Sequence, residues 1–315
     1  MNNLKGYFMI TGAAILWGIS ATAAKLLLNQ QVDTLLIVQS RVTFSCFLML
    51  LFFLLFTPRM LRVKVRDLWR FALLGILGVA GANFTYYFAI KESTVATAIL
   101  IQYTAPLAVI GYAAITREEE LTLAKSIAAA VSFFGCFLAV GAYDPSVLQI
   151  TPIGIVSAVG SMITFAFLNV YTRHLLKRHN LWTITFYSIA FASLFWLALN
   201  PPAALVAEKI SVETWWALVL LAIISVLIPH SLFFAGLQYV VPTRAIITST
   251  LEPVVAILSA AIVLEEYLRA PQIIGAVVVI SAIVLLQVRR EPGEVRQSSR
   301  IGSGHQDAEQ GSGIV

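Results

Sequence analysis

Charged residues are scarce in this chain. They make up 12% of its 315 positions, against roughly 25% in an average soluble domain. With 59% hydrophobic residues and a mean hydropathy of +0.87, a soluble globular fold is excluded. Cysteine is nearly absent. Cys46 and Cys136 are the only two, they fall in separate apolar stretches, and neither has a CxxC or other metal-ligand spacing. Neither a disulfide framework nor a metal site is indicated, and no cofactor is expected. The pattern G-x-x-x-x-G-K-[ST] is missing, which leaves ATP-driven transport within this chain unsupported. G-x-S-x-G and H-E-x-x-H are missing as well. An intramembrane enzyme, the main competing class, therefore lacks a recognisable nucleophile–base pair or metal cluster.

Long apolar runs are what the chain has in abundance. Ten can be drawn, at about 5–27, 34–56, 69–90, 95–115, 122–142, 152–173, 182–200, 214–238, 243–263 and 271–288. Each is long enough to cross a hydrocarbon core of about 30 Å as a helix. The fold class is an all-α membrane protein with ten transmembrane helices. Connections are short, so sequential spans are antiparallel neighbours. The longest is 57–68, T-P-R-M-L-R-V-K-V-R-D-L.

The net charge of +5 sets orientation rather than attracting nucleic acid. With the N-terminus in the cytoplasm, sixteen Lys and Arg fall at cytoplasmic ends, four at the opposite ends, and Arg41 lies inside a span. Positive residues stay on the cytoplasmic side, so both termini are expected there and the protein in the cell (inner or plasma) membrane. Ala21-Thr22-Ala23 resembles a signal-peptide cleavage site, but cleavage would remove the counterpart of the sixth span, and the first span is expected to be retained.

That counterpart belongs to an internal repeat. A shift of 147 places Pro106 on Pro253, Glu118-Glu119 on Glu265-Glu266, Leu121 on Leu268 and Asn83 on His230. A shift of 148 places Trp17-Gly18 on Phe165-Ala166 and Lys25 on Arg173. The division is 1–142 for the first five-helix repeat, 151–290 for the second, and 291–315 for a polar, Gly- and Ser-rich cytoplasmic tail expected to be disordered. Five spans are an odd number, so the two copies face opposite ways. Inverted repeats recur in secondary transporters, because two pseudo-symmetric halves can exchange conformations about a central site.

These residues resemble the drug/metabolite transporter superfamily, specifically its ten-span EamA-type branch. The matching features are I-L-W-G-I-S-A-T-A-A-K in the first span, T-V-A-T-A-I-L-I-Q-Y-T-A-P in the fourth, E-E-x-L-T after it, and Glu266, Leu268, Gln272 and Gly275 as E-x-L-x-x-x-Q-x-x-G. Ala128 departs from the pattern, standing where a glycine is expected nine residues after Glu119. The resemblance covers about 5–288 and implies export or exchange of small metabolites, often amino acids, through a cavity between the halves.

Ionisable groups inside spans are costly in lipid and usually face a cavity or a partner. Arg41 lies roughly 10 Å deep at 1.5 Å per residue. It either grips a substrate carboxylate or snorkels to the interface. Glu252 lies roughly 14 Å deep, near the midplane, with Thr248 and Ser249 expected on its face. Pro253 is expected to free the Ser249 carbonyl and kink the helix, and Pro106 to do the same in the first repeat. Such an acid suits a cation or a proton; the plainer reading is an acid that joins two helices. His230, followed by Phe233 and Phe234, is either a titrating partner or a packing residue. Asn83 and Tyr87 share a helix face, and with Gln102, Tyr103 and Trp17 they read as an aromatic wall with polar anchors. The acidic runs Glu118-Glu119-Glu120 and Glu265-Glu266 are expected to favour the N-termini of the spans that follow.

The function indicated is a secondary transporter whose partners are the bilayer and a small-molecule substrate, best an amino acid or related carboxylate or amine solute. A homodimer is left open. Besides the enzyme, the alternative is a structural or regulatory membrane subunit, which would need neither inverted repeats nor a polar midplane.

Overall fold

The computed structural model describes residues 2–148, 151–201, 210–265 and 267–288. The tail 291–315, Glu266, Lys209 and the cations beyond Val288 that entered the charge count lie outside the described residues. Among the described residues every regular element is helical. Among those residues nine helices are long and apolar enough to cross a membrane, and the shorter Leu123–Ala139 supplies the tenth span.

Span starts are marked by polar caps. The Asp33 carboxylate accepts from the amides of Leu35 and Leu36, and Thr94, Thr122, Thr151, Asn180 and Ser211 cap the fourth to eighth spans in the same way. Each cap satisfies amides that the first turn leaves without partners. This matters at a membrane face, where unpaired backbone is costly.

Two kinds of helix distortion occur, each once per repeat. The third span has a π-helical segment at Leu74–Ala80 and the eighth one at Ile223–Leu227. In the eighth span Pro229 has no N–H for the carbonyl of Ser225, and the indole of Trp17 donates to that oxygen at 3.1 Å instead. The fourth span is two helices, Val95–Gln102 and Ala105–Thr116, and the ninth is two, Pro242–Ser249 and Leu251–Val263. The breaks fall at Tyr103 (φ −78°, ψ 9°) and at Thr250 (φ −63°, ψ −5°). The expected kink at Pro253 is therefore displaced. The helix ends three residues earlier, and Pro253, like Pro106, sits in the first turn of the second half, where a missing N–H is tolerated.

The halves interlock rather than sit side by side. The first span packs on the eighth and ninth, and the sixth packs on the third and fourth. The second packs on the seventh and the fifth on the tenth. That set of pairings maps onto itself when the repeats are exchanged, as a pseudo-twofold relation requires. The main apolar core lies between the second, third, seventh and eighth spans, around Phe71, Phe186, Trp196 and Phe233. The fifth and tenth spans touch backbone to backbone. A Cβ on Gly275 would stand 2.6 Å from the carbonyl of Gly135, and one on Gly135 only 2.7 Å from Val279. Small residues allow this approach in lipid.

Glu119 does not serve the span that follows it. Thr122 caps that helix, while the Glu119 carboxylate accepts from the amide and hydroxyl of Thr243 at 3.3 and 3.0 Å. Thr243 opens the ninth span, so the acid of one repeat caps a helix of the other. Lys125 pairs with the same carboxylate at 3.0 Å.

Candidate functional site

The two helix breaks bring the central polar groups together. At the first, the Tyr103 hydroxyl donates to Glu252 Oε2 at 2.6 Å, joining the fourth span to the ninth. Glu252 is half-buried, and its Oε1 has no hydrogen bond among the described residues. The backbone beside it is held by close packing with the first span. A Cβ on Gly18 would lie 2.8 Å from the Glu252 carbonyl and 2.6 Å from Val255 Cβ, so only glycine lets the helices approach this closely. The hydroxyls of Thr22 and Ser259 bond at 2.7 Å in the same contact.

Arg41 turns inward. One Nη donates to the Tyr87 hydroxyl and the other to Asn83 Oδ1, both at 3.1 Å, and the guanidinium lies 5.8 Å from the Tyr87 ring centre. The snorkelling alternative is thus replaced by a fixed inward geometry. Asn83 is oriented in turn by donating to the carbonyl of Val79, within the π-helical segment, at 2.7 Å. The ring of Tyr86 meets that of Tyr87 edge to face at 5.5 Å. Tyr86 was not among the residues picked from the sequence, although it is three positions from Asn83 and shares its face.

An aromatic group closes the cluster on the side of the second repeat. The rings of Trp17 and His230 meet edge to face at 5.5 Å, and His230 meets Phe234 at 6.0 Å. Phe234 has no exposed surface, so it backs His230 rather than facing an opening. Trp17 is fixed by its bond to Ser225.

Two groups of residues stand apart from this arrangement. The side chain of Gln102 donates to Ser161 on the sixth span at 2.8 Å. Thr248 and Ser249 do not join Glu252. The helix ends between them and the acid, and their hydroxyls bond the carbonyls of Arg244 and Ile246 in their own turns. Pro106 and Pro253 are buried beside the breaks.

Three contact groups thus draw on six spans: Arg41 with Asn83, Tyr87 and Tyr86, Tyr103 with Glu252, and Trp17 with His230. They present one guanidinium and one carboxyl group among aromatic side chains.

The solved structures that the chain resembles include a crystal structure with a TM-score of 0.74 at 21% identity, covering 89% of this chain and 95% of its own. Among curated proteins, the inner membrane transporter YicL of Salmonella typhimurium is 21% identical, over 90% of this chain and 95% of that protein. A transporter of Archaeoglobus fulgidus is 28% identical, over 67% and 75%. The transporter YcbK of Bacillus subtilis is 24% identical, over 76% and 79%. The family match itself runs over residues 4–141 and again over 152–288, once per repeat, and the chain belongs to the EamA-like transporter family as an integral membrane transporter.

Proposed function

We propose that the chain is a secondary transporter that exposes one central site alternately to the two sides of the cell membrane. Its substrate is a small zwitterionic or carboxylate-bearing metabolite, with amino acids the best single class, moved by export or exchange. The observation that carries this reading is that opposite repeats each fix one ionisable side chain within the spans, Arg41 on Tyr87 and Asn83 at 3.1 Å and Glu252 on Tyr103 at 2.6 Å. Arg41 keeps donors beyond the two that hold Asn83 and Tyr87, and its planar fork suits a carboxylate. Glu252, oriented by Tyr103, suits an amine or a proton. Trp17, Tyr86 and Tyr87 supply the apolar lining that small-molecule sites use, with His230 beside them. The breaks at Tyr103 and Thr250 lie next to the site, where discontinuous helices place backbone groups near a bound solute. The bias of sixteen cations to four supports cytoplasmic termini.

The test is counterflow of labelled amino acids and their amides in proteoliposomes. Arg41→Ala removes charge-assisted bonds of about 1.5–3 kcal/mol, so affinity for the acid falls roughly tenfold to a hundredfold while the amide is little affected. Glu252→Gln keeps shape but cannot titrate, so exchange persists while accumulation driven by a pH gradient disappears. If the wild type handles the amide as well as the acid, the carboxylate assignment is wrong.

A further inference from the structure

The connection between the second and third spans is a built surface rather than a loose loop. It winds through two short 3₁₀ turns, Pro58–Leu61 and Val65–Asp67, and is fastened to the seventh span at two points. Thr183 donates to the carbonyl of Met60 at 3.0 Å, and the Tyr187 hydroxyl donates to that of Leu61 at 2.7 Å. Met60, Leu61 and Val63 pack on the main core. With these side chains turned in, Arg59, Arg62, Lys64 and Arg66 are all exposed. The acid of the segment is already taken, since Asp67 pairs with Arg70 at 2.8 Å. The four outward cations make no ion pair among the described residues.

Large apolar side chains flank these cations. Val65 is 82% exposed, Trp69 59% and Phe56 69%. Phe56 ends the second span and Trp69 begins the helical third, so both stand where hydrocarbon gives way to headgroups. A polyanion such as RNA would leave these apolar groups in water. A lipid satisfies both parts, because its acyl chains cover Phe56 and Trp69 while its phosphate meets the cations.

We propose that this strap is a docking surface for anionic phospholipid. Its fixed backbone holds four cations in the plane of the headgroups with little ordering left to do. Polybasic segments beside a membrane gain roughly fivefold in anionic-lipid affinity per cation.

The experiment uses the full-length protein purified in detergent and loaded with mixtures of phosphatidylglycerol and phosphatidylcholine, with retained lipid counted by native mass spectrometry. The wild type is expected to retain phosphatidylglycerol preferentially. Arg59→Gln, Arg62→Gln, Lys64→Gln and Arg66→Gln combined should lower that preference at least about tenfold. Lys91→Gln, at the other end of the third span, should not change it. Because a fourfold variant can fail to fold, the pairs Arg59→Gln with Arg62→Gln and Lys64→Gln with Arg66→Gln are measured separately, each expected to give a partial loss with unchanged melting temperature. Inorganic phosphate in millimolar excess should not displace the lipid. Equal retention by the wild type and both pairs, or displacement by phosphate alone, overturns the proposal.

Discussion

Replacing Glu119 with alanine probes how the halves are held together. The carboxylate has two duties, pairing with Lys125 at 3.0 Å and capping the ninth span through Thr243. Both side chains are out of solvent, Lys125 at 2% exposure and Glu119 at 7%. Removing the acid takes from the buried ammonium the carboxylate it meets at 3.0 Å, while its bond to the carbonyl of Glu120 stays. Breaking a buried pair on one side costs about 3–5 kcal/mol, and loss of a helix cap adds about 1 kcal/mol. Thr243→Val removes the hydroxyl bond while the amide bond survives, and should cost only about 1 kcal/mol. Glu119→Gln combined with Lys125→Met removes both charges of the pair and should be milder than Glu119→Ala, since the buried ammonium goes with the acid. Thermal unfolding of the purified protein in one detergent, followed by tryptophan fluorescence, ranks the three variants. Equal melting temperatures for Glu119→Ala and Thr243→Val would refute the reasoning, because they would mean that the Lys125–Glu119 pair adds nothing beyond the cap.

Two further outcomes follow from geometry elsewhere. Gly18→Ala puts a methyl group 2.6 Å from Val255 Cβ and 2.8 Å from the Glu252 carbonyl, so the first and ninth spans must separate. Overpacking of this kind costs about 1–3 kcal/mol, and exchange in proteoliposomes should fall with stability; a variant with wild-type melting temperature and rate would contradict the contact. Asp144→Asn should do almost nothing at neutral pH, because its 3.0 Å pair with Arg269 is exposed and such pairs contribute little. Bonds from Ser146 and the nearby Arg269 hold the Asp144 carboxyl below its usual value. What it contributes is therefore present above the unfolded-state value and lost only as pH falls through the folded one. Parallel melting curves for the two proteins from pH 5 to 8 are the expected result.

Spans were legible because about twenty apolar residues cannot be placed otherwise, and because Asp33, Thr94 and Thr151 announce helix starts through local chemistry. Ionisable residues in such spans, Arg41 and Glu252, were legible as candidates for the same reason. Their partners were not. The hydroxyl of Tyr103 meets Glu252 across 149 residues, and the indole of Trp17 meets the Ser225 carbonyl across 208. Both contacts depend on how the repeats interlock, which no local pattern encodes. The inference that placed Thr248 and Ser249 beside Glu252 assumed a continuous helix and failed at the break. Glu119 was assigned to the helix next in sequence, whereas that amide set was already capped by Thr122 and the free N-terminus nearby belonged to the other repeat.

The interlocked scaffold is pseudo-symmetric but its chemistry is not, and this yields a last prediction. By the shift of 147 residues, Glu252 corresponds to Ala105 and Tyr103 to Thr250. If the proposed site needed only an acid beside a helix break, moving it with Ala105→Glu and Glu252→Ala would preserve transport. The structure argues otherwise. Ala105 is fully buried in an apolar cluster with Val109, Ala166 and Ile246, so a carboxyl group there is desolvated without a partner. The hydroxyl that would have to serve it, that of Thr250, already donates to the carbonyl of Ile247 at 2.6 Å. The exchanged variant should therefore lose counterflow of the amino acid and melt lower than Glu252→Ala alone. Counterflow at the wild-type rate in the exchanged variant would show that the two repeats are chemically equivalent at the site, and that the Tyr103–Glu252 bond has no part in transport.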